Sequence, residues 1–229
     1  MAQVIGIMGE SGSGKTTSLR NLPPKETYYI DCDKKGLSWK GWKSGFNADK
    51  AKNYLRADKP ALVTRALYWL NGMKFDNNNK IVKDEKSTGL PYKYLVIDTV
   101  NGMMVGEEMR RSKEKGYDKW TDIASFVYDI VDYCLDMRDD LTIILVFHSE
   151  TVMDDSGYTF TRIKTNGKKL EKIKLETKLS TLLYAECIDG SYKFHTKANK
   201  STAKTPMGLF DEDLIDNDIM EVIKALEEF

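Results

Sequence analysis

The chain has 229 residues, room for one large domain with a sizeable core, and its 41% hydrophobic and 31% charged composition excludes a disordered tail or a disulfide-stapled miniprotein. Lys plus Arg and Asp plus Glu are each 35, so the zero net charge gives no overall pull toward nucleic acid or membrane. The three cysteines, Cys32, Cys134 and Cys187, stand far apart, which speaks against a zinc site and fits a reducing cytoplasm.

Gln3 to Met8 is a short apolar run that reads as a buried strand. It meets Gly9-Glu10-Ser11-Gly12-Ser13-Gly14-Lys15-Thr16, a match to G-x-x-x-x-G-K-[ST]. A helix is predicted from about Lys15 to Asn21, stopped by Pro23-Pro24. Tyr28 to Cys32 is a second buried strand, and Asp33 to Lys59 carries no clear period. Leu62, Ala66, Trp69, Leu70 and Met73 recur at helical spacing, and Phe75 to Tyr92 reads as an exposed loop or small hairpin.

Tyr94 to Asp98 is a third buried strand, Ile123 to Cys134 a long amphipathic helix, and Thr142 to His148 a fourth strand. Continuous aliphatic strands separated by helices predict an α/β protein with a mostly parallel central sheet flanked by helices. After His148 the pattern turns to antiparallel strands. Thr151 to Met153 and Tyr158 to Lys164 flank the turn at Asp154 to Gly157, and Leu182 to Ile188 and Tyr192 to Ala198 flank Asp189-Gly190. An acidic C-terminal helix is expected over about 214–229, and with no linker or repeat the reading is one domain over 1–229. No apolar stretch approaches the roughly 18 residues of a membrane span, so a cytoplasmic protein is expected.

The phosphate-loop pattern carries the chemistry. Its glycines let backbone N–H groups turn inward around a polyphosphate, and the following helix N-terminus adds partial positive charge. Gly9 through Thr17 would therefore hold the phosphates of ATP, with Lys15 on the β- and γ-phosphates and the Thr16 hydroxyl on Mg²⁺. Asp98, ending an apolar strand, suits the carboxylate that holds Mg²⁺ through water. Asp31 and Asp33 would lie beside the phosphate loop if the second strand neighbours the first, and Asp33 is the favoured residue to orient an attacking water. His148, taken to end the fourth strand, would read the γ-phosphate. The alternatives are turn-forming aspartates and a satisfied strand-end histidine.

Charge is unevenly distributed. Between Ser156 and Lys204 there are eleven basic residues against four acidic ones, and from Thr205 to Phe229 eight acidic residues with one lysine. Such blocks fit an anion-binding surface with a competing intramolecular anion, or simply solvated faces.

In order and spacing, Gly9 to Thr16, Ile30-Asp31-Cys32-Asp33, Val96-Ile97-Asp98-Thr99-Val100, Leu145-Val146-Phe147-His148 and Lys197-Ala198-Asn199-Lys200 resemble a RecA-type ATPase core. Over about residues 3–210 the chain resembles the bacteriophage RecA-like ATPases of recombination and single-strand annealing. The resemblance implies a RecA-like P-loop fold, ATP and Mg²⁺ as cofactors, and a homo-oligomer with nucleotide between subunits. It makes Asp33 the counterpart of a catalytic glutamate, one methylene shorter, which implies slow turnover. Lys197 and Lys200 become the counterparts of lysines that reach a neighbour's nucleotide, although their spacing differs from that of the better-known recombinases. It also implies single-stranded DNA and a single-strand-binding protein as partners, and the host bacterial cytoplasm as location. Almost nothing precedes the first strand, so the N-terminal polymerisation segment of full-length recombinases is expected to be missing.

In that family two loops after the third and fourth strands grip DNA. Here they correspond to Met103 to Trp120, with Arg110 and Arg111, and Ser149 to Lys169, with Tyr158, Phe160, Arg162, Lys164, Lys168 and Lys169. Basic residues interleaved with aromatics suit single strands, because rings stack on bases while cations neutralise phosphates. An amphipathic helix and an exposed hairpin would look the same. The expectation is an ATPase that uses ATP–Mg²⁺ to control single-stranded DNA binding. The rivals are an annealing module switched by nucleotide with negligible turnover, and a small-molecule kinase with Arg110 and Arg111 on a lid.

Overall fold

A computed structural model describes residues 1–78, 80–84, 91–116, 118–165 and 174–229. The first strand, β1 (Gln3–Gly9), is central. On one side lie β7 (Thr142–Met153), β6 (Tyr94–Asp98), β2 (Thr27–Asp31) and β3 (Tyr54–Arg56), each parallel to its neighbour. On the other side β9 (Thr181–Ile188) runs parallel to β1, then β10 (Ser191–His195) and β11 (Leu214–Asp216) follow antiparallel. The chain is thus mixed α/β with a mostly parallel central sheet, as expected of a P-loop NTPase fold. A separate hairpin joins β4 (Met73–Phe75) to β5 (Ile81–Lys83); a loop or hairpin was expected from Phe75, while Met73, read at helical spacing, instead opens β4 because the preceding helix ends at Leu70.

Strand alternation divides the core into two layers. Val4, Met8, Ile30, Leu95, Ile97, Ile143, Leu145 and Phe147 face one side. There α2 (Pro60–Leu70), α3 (Val100–Arg110) and α4 (Asp118–Leu135) cover them with Val63, Leu67, Met103, Met104, Val127 and Val131. Ile5, Ile7, Tyr29, Val96, Ile144 and Val146 face the other side, under Leu19, Leu22, Phe46 and the Ile219, Val222 and Ile223 stripe of α5 (Ile219–Glu228). A one-turn helix, α1 (Trp42–Gly45), lies within the long segment between β2 and β3.

Four expectations are corrected. The C-terminal helix starts at Ile219 and not near 214, because Leu214–Asp216 pairs with β10 as an edge strand. The helix foreseen over Lys15 to Asn21 is a three-residue 3₁₀ turn, Thr17–Leu19, flanked by turns. The second strand does not neighbour the first, because β7 and β6 stand between them. His148 does not end its strand: β7 pairs with β1 up to His148, then continues through Met153 against β8 (Thr159–Ile163). Pairing the outer half with β8 satisfies its backbone where the central sheet gives out.

Candidate nucleotide site

Parallel pairing places the C-terminal ends of β1, β2, β6 and the inner part of β7 side by side. Gly9 lies opposite His148, and Asp98 opposite both Val146 and Asp31. The phosphate loop leaves β1 here. Gly12 and Gly14 hold φ of 81° and 93°, a left-handed region open to glycine and costly for other residues. At Gly14 a side chain would also strike the Tyr192 ring, so the loop turns because these residues lack one.

Lys15 is buried, and its ammonium donates to the carbonyls of Gly9 at 2.8 Å and Glu10 at 2.6 Å. Burial, resisted by Asp98 and reinforced by nearby Lys35, lowers its pKa from 10.5 to about 8. Thr16 donates its hydroxyl to Asp98 Oδ2 at 2.7 Å, and the same oxygen accepts the Tyr29 hydroxyl at 2.6 Å. Asp98 is 2% exposed, and its Oδ1 has no hydrogen-bond partner. Burial raises the Asp98 pKa, with Lys35, Tyr29 and Thr16 pulling the other way. A buried carboxylate oxygen left unpaired beside a threonine hydroxyl is the oxygen-donor set that fits Mg²⁺. Among the described residues no group of three His, Cys, Asp or Glu side chains is placed to hold a metal. The ion would depend on the phosphates for its remaining ligands, as magnesium commonly does.

Asp33 reaches the site although β2 is remote from β1. The turn after β2 carries it over the start of α3, where its Oδ1 accepts the Thr99 hydroxyl at 3.0 Å. Thr99 also caps α3 by accepting from the Gly102 N–H, so one side chain starts the helix and fixes the carboxylate. Asp33 Oδ2 is 2.9 Å from Lys35 Nζ and 4.0 Å from His148 Nε2. Burial, then the charge on Lys15, lowers the His148 pKa below 6.5, so its imidazole is neutral at pH 7. Asp31 is occupied elsewhere, accepting from the Tyr54 hydroxyl at 2.5 Å and the Gly36 N–H at 2.9 Å.

A cavity of about 370 Å³ opens over the loop, walled by Gly12, Gly14, Lys15, Lys35, His148 and Tyr192. A second, of about 260 Å³, lies behind His148 against Asp33, Asn101 and Gly102. Asn101 ties the parts together. Its Oδ1 accepts the His148 N–H at 2.8 Å and its Nδ2 donates to the Lys164 carbonyl at 2.8 Å. Lys35, Asn101, Thr99, Tyr29 and Tyr192 were not singled out from sequence. The first lies in the stretch without a period, Tyr29 and Tyr192 read only as strand residues, and Thr99 and Asn101 follow the third strand with no period of their own.

A family model described as AAA domain matches residues 1–207. The chain belongs to the AAA domain family. Comparison with curated proteins found no match. Membership makes this a nucleotide-binding domain of the NTPase type, which usually works with Mg²⁺. No helix among the described residues is long and apolar enough to cross a membrane.

The remaining candidates lie away from the loop of this AAA domain. Arg110 pairs with Asp58 and Glu107, and Arg111 with Glu114 and Asp122; neither walls the phosphate-loop cavity. Tyr158 and Phe160 stack at 6.2 Å between ring centres, and Arg162 pairs with Glu150. The Lys197 ammonium meets Asp213 at 2.9 Å and the Asp211 carbonyl at 2.8 Å, so the acidic C-terminal segment pairs with it while its side chain stays exposed. Lys200 holds φ of 50°, and its carbonyl accepts from the Thr161 N–H. Lys168 and Lys169 lie outside the described residues.

Proposed function

We propose that this AAA domain is a RecA-like ATP hydrolase that uses ATP and Mg²⁺ to control its grip on single-stranded DNA, in phage recombination, annealing or replication. The observation that carries the reading is the continuity of β7. One strand bears His148 at the phosphate cavity and, five residues on, ends at a hairpin with the stacked rings of Tyr158 and Phe160. Asn101 braces both halves, holding His148 on β7 and Lys164 beyond β8. A shift at His148 would thus be transmitted to the hairpin through a rigid element.

In this reading Lys15 and the loop N–H groups hold the β- and γ-phosphates, and Thr16 and Asp98 hold the Mg²⁺, which supplies charge neutralisation on the phosphates. Asp33 orients a water in the cavity behind His148 and takes its proton during in-line attack on the γ-phosphate. Neutral His148, between the two cavities, reads the γ-phosphate. Lys197 and Lys200 serve a neighbouring copy's nucleotide once an oligomer forms, and a single-strand-binding protein is the expected partner.

The test is phosphate release from ATP with and without single-stranded DNA over a range of protein concentrations. DNA stimulation, with a rate per subunit that rises with concentration, is expected; indifference to both would overturn the DNA and assembly parts. The ion pair of Asp33 with Lys35 favours a second reading, a nucleotide-switched annealing module with negligible turnover. Nucleotide-dependent DNA binding without phosphate release would select it.

A further inference from the structure

Two lysines, not one, stand over the phosphate loop. Lys35 and Lys15 wall the same cavity, together with the loop and His148. No periodicity or motif marks Lys35. Its position follows from the turn after β2, where Gly36, at φ 83°, donates its N–H to Asp31 and bends residues 33–36 along the sheet edge. The Lys35 ammonium is 2.9 Å from Asp33 Oδ2, and its side chain is 45% exposed. Asp33 is only 19% exposed, so the lysine arm is the half of the pair with room to move. Burial alone would lower the Lys35 pKa, but Asp98 and Asp33 together lift it, so the group is a lasting cation. While the ammonium donates to Asp33 Oδ2, and Thr99 to its Oδ1, neither oxygen is left free for the hydrogen of a water.

We propose that Lys35 is a second phosphate-reading lysine, whose ammonium leaves Asp33 for the terminal phosphate of a bound nucleoside triphosphate and thereby frees Asp33 to act on water. This deepens the proposed function and rests on it. The terminal phosphate, with more charge than a carboxylate, outcompetes Asp33 for the ammonium; a diphosphate does not extend to it. In the step so gated, the water oxygen bonds to the terminal phosphorus and the bond to the bridging oxygen breaks. The diphosphate leaves with that electron pair, and the water proton passes to Asp33. Lys35 acts on the water only through Asp33, so it is a positioning residue for the base as well as a phosphate contact. Activation then waits for the substrate, since only the intact triphosphate removes the lysine from the carboxylate.

The experiment measures dissociation constants for Mg²⁺ complexes of a non-hydrolysable ATP analogue and of ADP, in wild type, Lys35→Met, Lys35→Arg, Asp33→Asn and the double variant Lys35→Met with Asp33→Asn. Lys35→Met should weaken the triphosphate at least about tenfold and ADP by less than about twofold, and Lys35→Arg should restore most of the preference. Asp33→Asn should tighten the triphosphate several-fold, because Lys35 loses its competing partner, and this gain should vanish in the double variant. Equal losses for tri- and diphosphate, no loss, or a gain that persists without Lys35 would overturn the proposal. Wild-type protein that binds neither nucleotide would instead overturn the nucleotide reading beneath it.

Discussion

Lys15 sits at the alkaline edge of its working range. Its pKa of about 8 means that the ammonium is present below that pH and lost above it. A bound polyphosphate favours the charged form, so affinity for Mg–ATP should fall as pH rises between about 7.5 and 9.5, by up to roughly tenfold per unit. Neutral His148 contributes nothing to that limb. Titration calorimetry across this range checks the slope, and Lys15→Arg should flatten it. Gly102 is a second residue whose identity follows from the site. A Cβ there would lie 2.5 Å from Asp33 Oδ1 and 2.9 Å from the Cys32 backbone. Overpacking costs about 1–3 kcal/mol, against about 1 kcal/mol gained in helix propensity. Gly102→Ala should therefore change stability by less than about 2 kcal/mol yet displace Asp33 and cut ATP turnover at least tenfold. Full turnover by this variant, with a normal melting curve, would remove Asp33 from the mechanism.

The element that joins site to surface is β7 with its hairpin. If the Tyr158 and Phe160 rings stack on bases, removing each should cost about 1–3 kcal/mol in affinity for single-stranded DNA. Fluorescence anisotropy with a labelled oligonucleotide would show this for Tyr158→Ala and Phe160→Ala, and unchanged affinity in both would move the DNA surface elsewhere. The elements also show what a linear reading captures. The strands β1, β2, β6 and the inner part of β7 were legible as aliphatic runs because burial on both faces leaves no room for alternation, whereas the three-residue edge strands β3 and β11 were not. The length of β7 was not, since His148, Ser149 and Glu150 break the apolar run while backbone pairing with β8 carries the strand on. The helix after the phosphate loop was expected from the motif alone. In its place stands only the 3₁₀ segment Thr17–Leu19, ahead of Pro23-Pro24, with Leu19 and Leu22 already committed to the core.

For the whole molecule, topology decided what sequence proximity left open. The phosphate loop was legible because backbone chemistry fixes its glycines and lysine at set spacing, and Asp98 because a buried strand ends on it. Asp33 was chosen on the premise that β2 abuts β1, and the sheet separates them by two strands. It reaches the site because the ends of the parallel strands share one edge and Thr99 at the head of α3 catches the carboxylate. Lys35 and Asn101 are brought to the cavities by tertiary geometry alone, which no pattern along the chain encodes. The central claim is that one edge of the sheet both holds ATP and hydrolyses it, with the two tasks divided between Lys15 and Asp33. The most direct measurement compares bound ATP and multiple-turnover phosphate release in wild type, Lys15→Ala and Asp33→Asn. The account predicts that wild type binds and turns over, Lys15→Ala does neither, and Asp33→Asn binds ATP with turnover reduced at least about a hundredfold. Wild-type rates in Asp33→Asn, or undiminished ATP binding in Lys15→Ala, would contradict it.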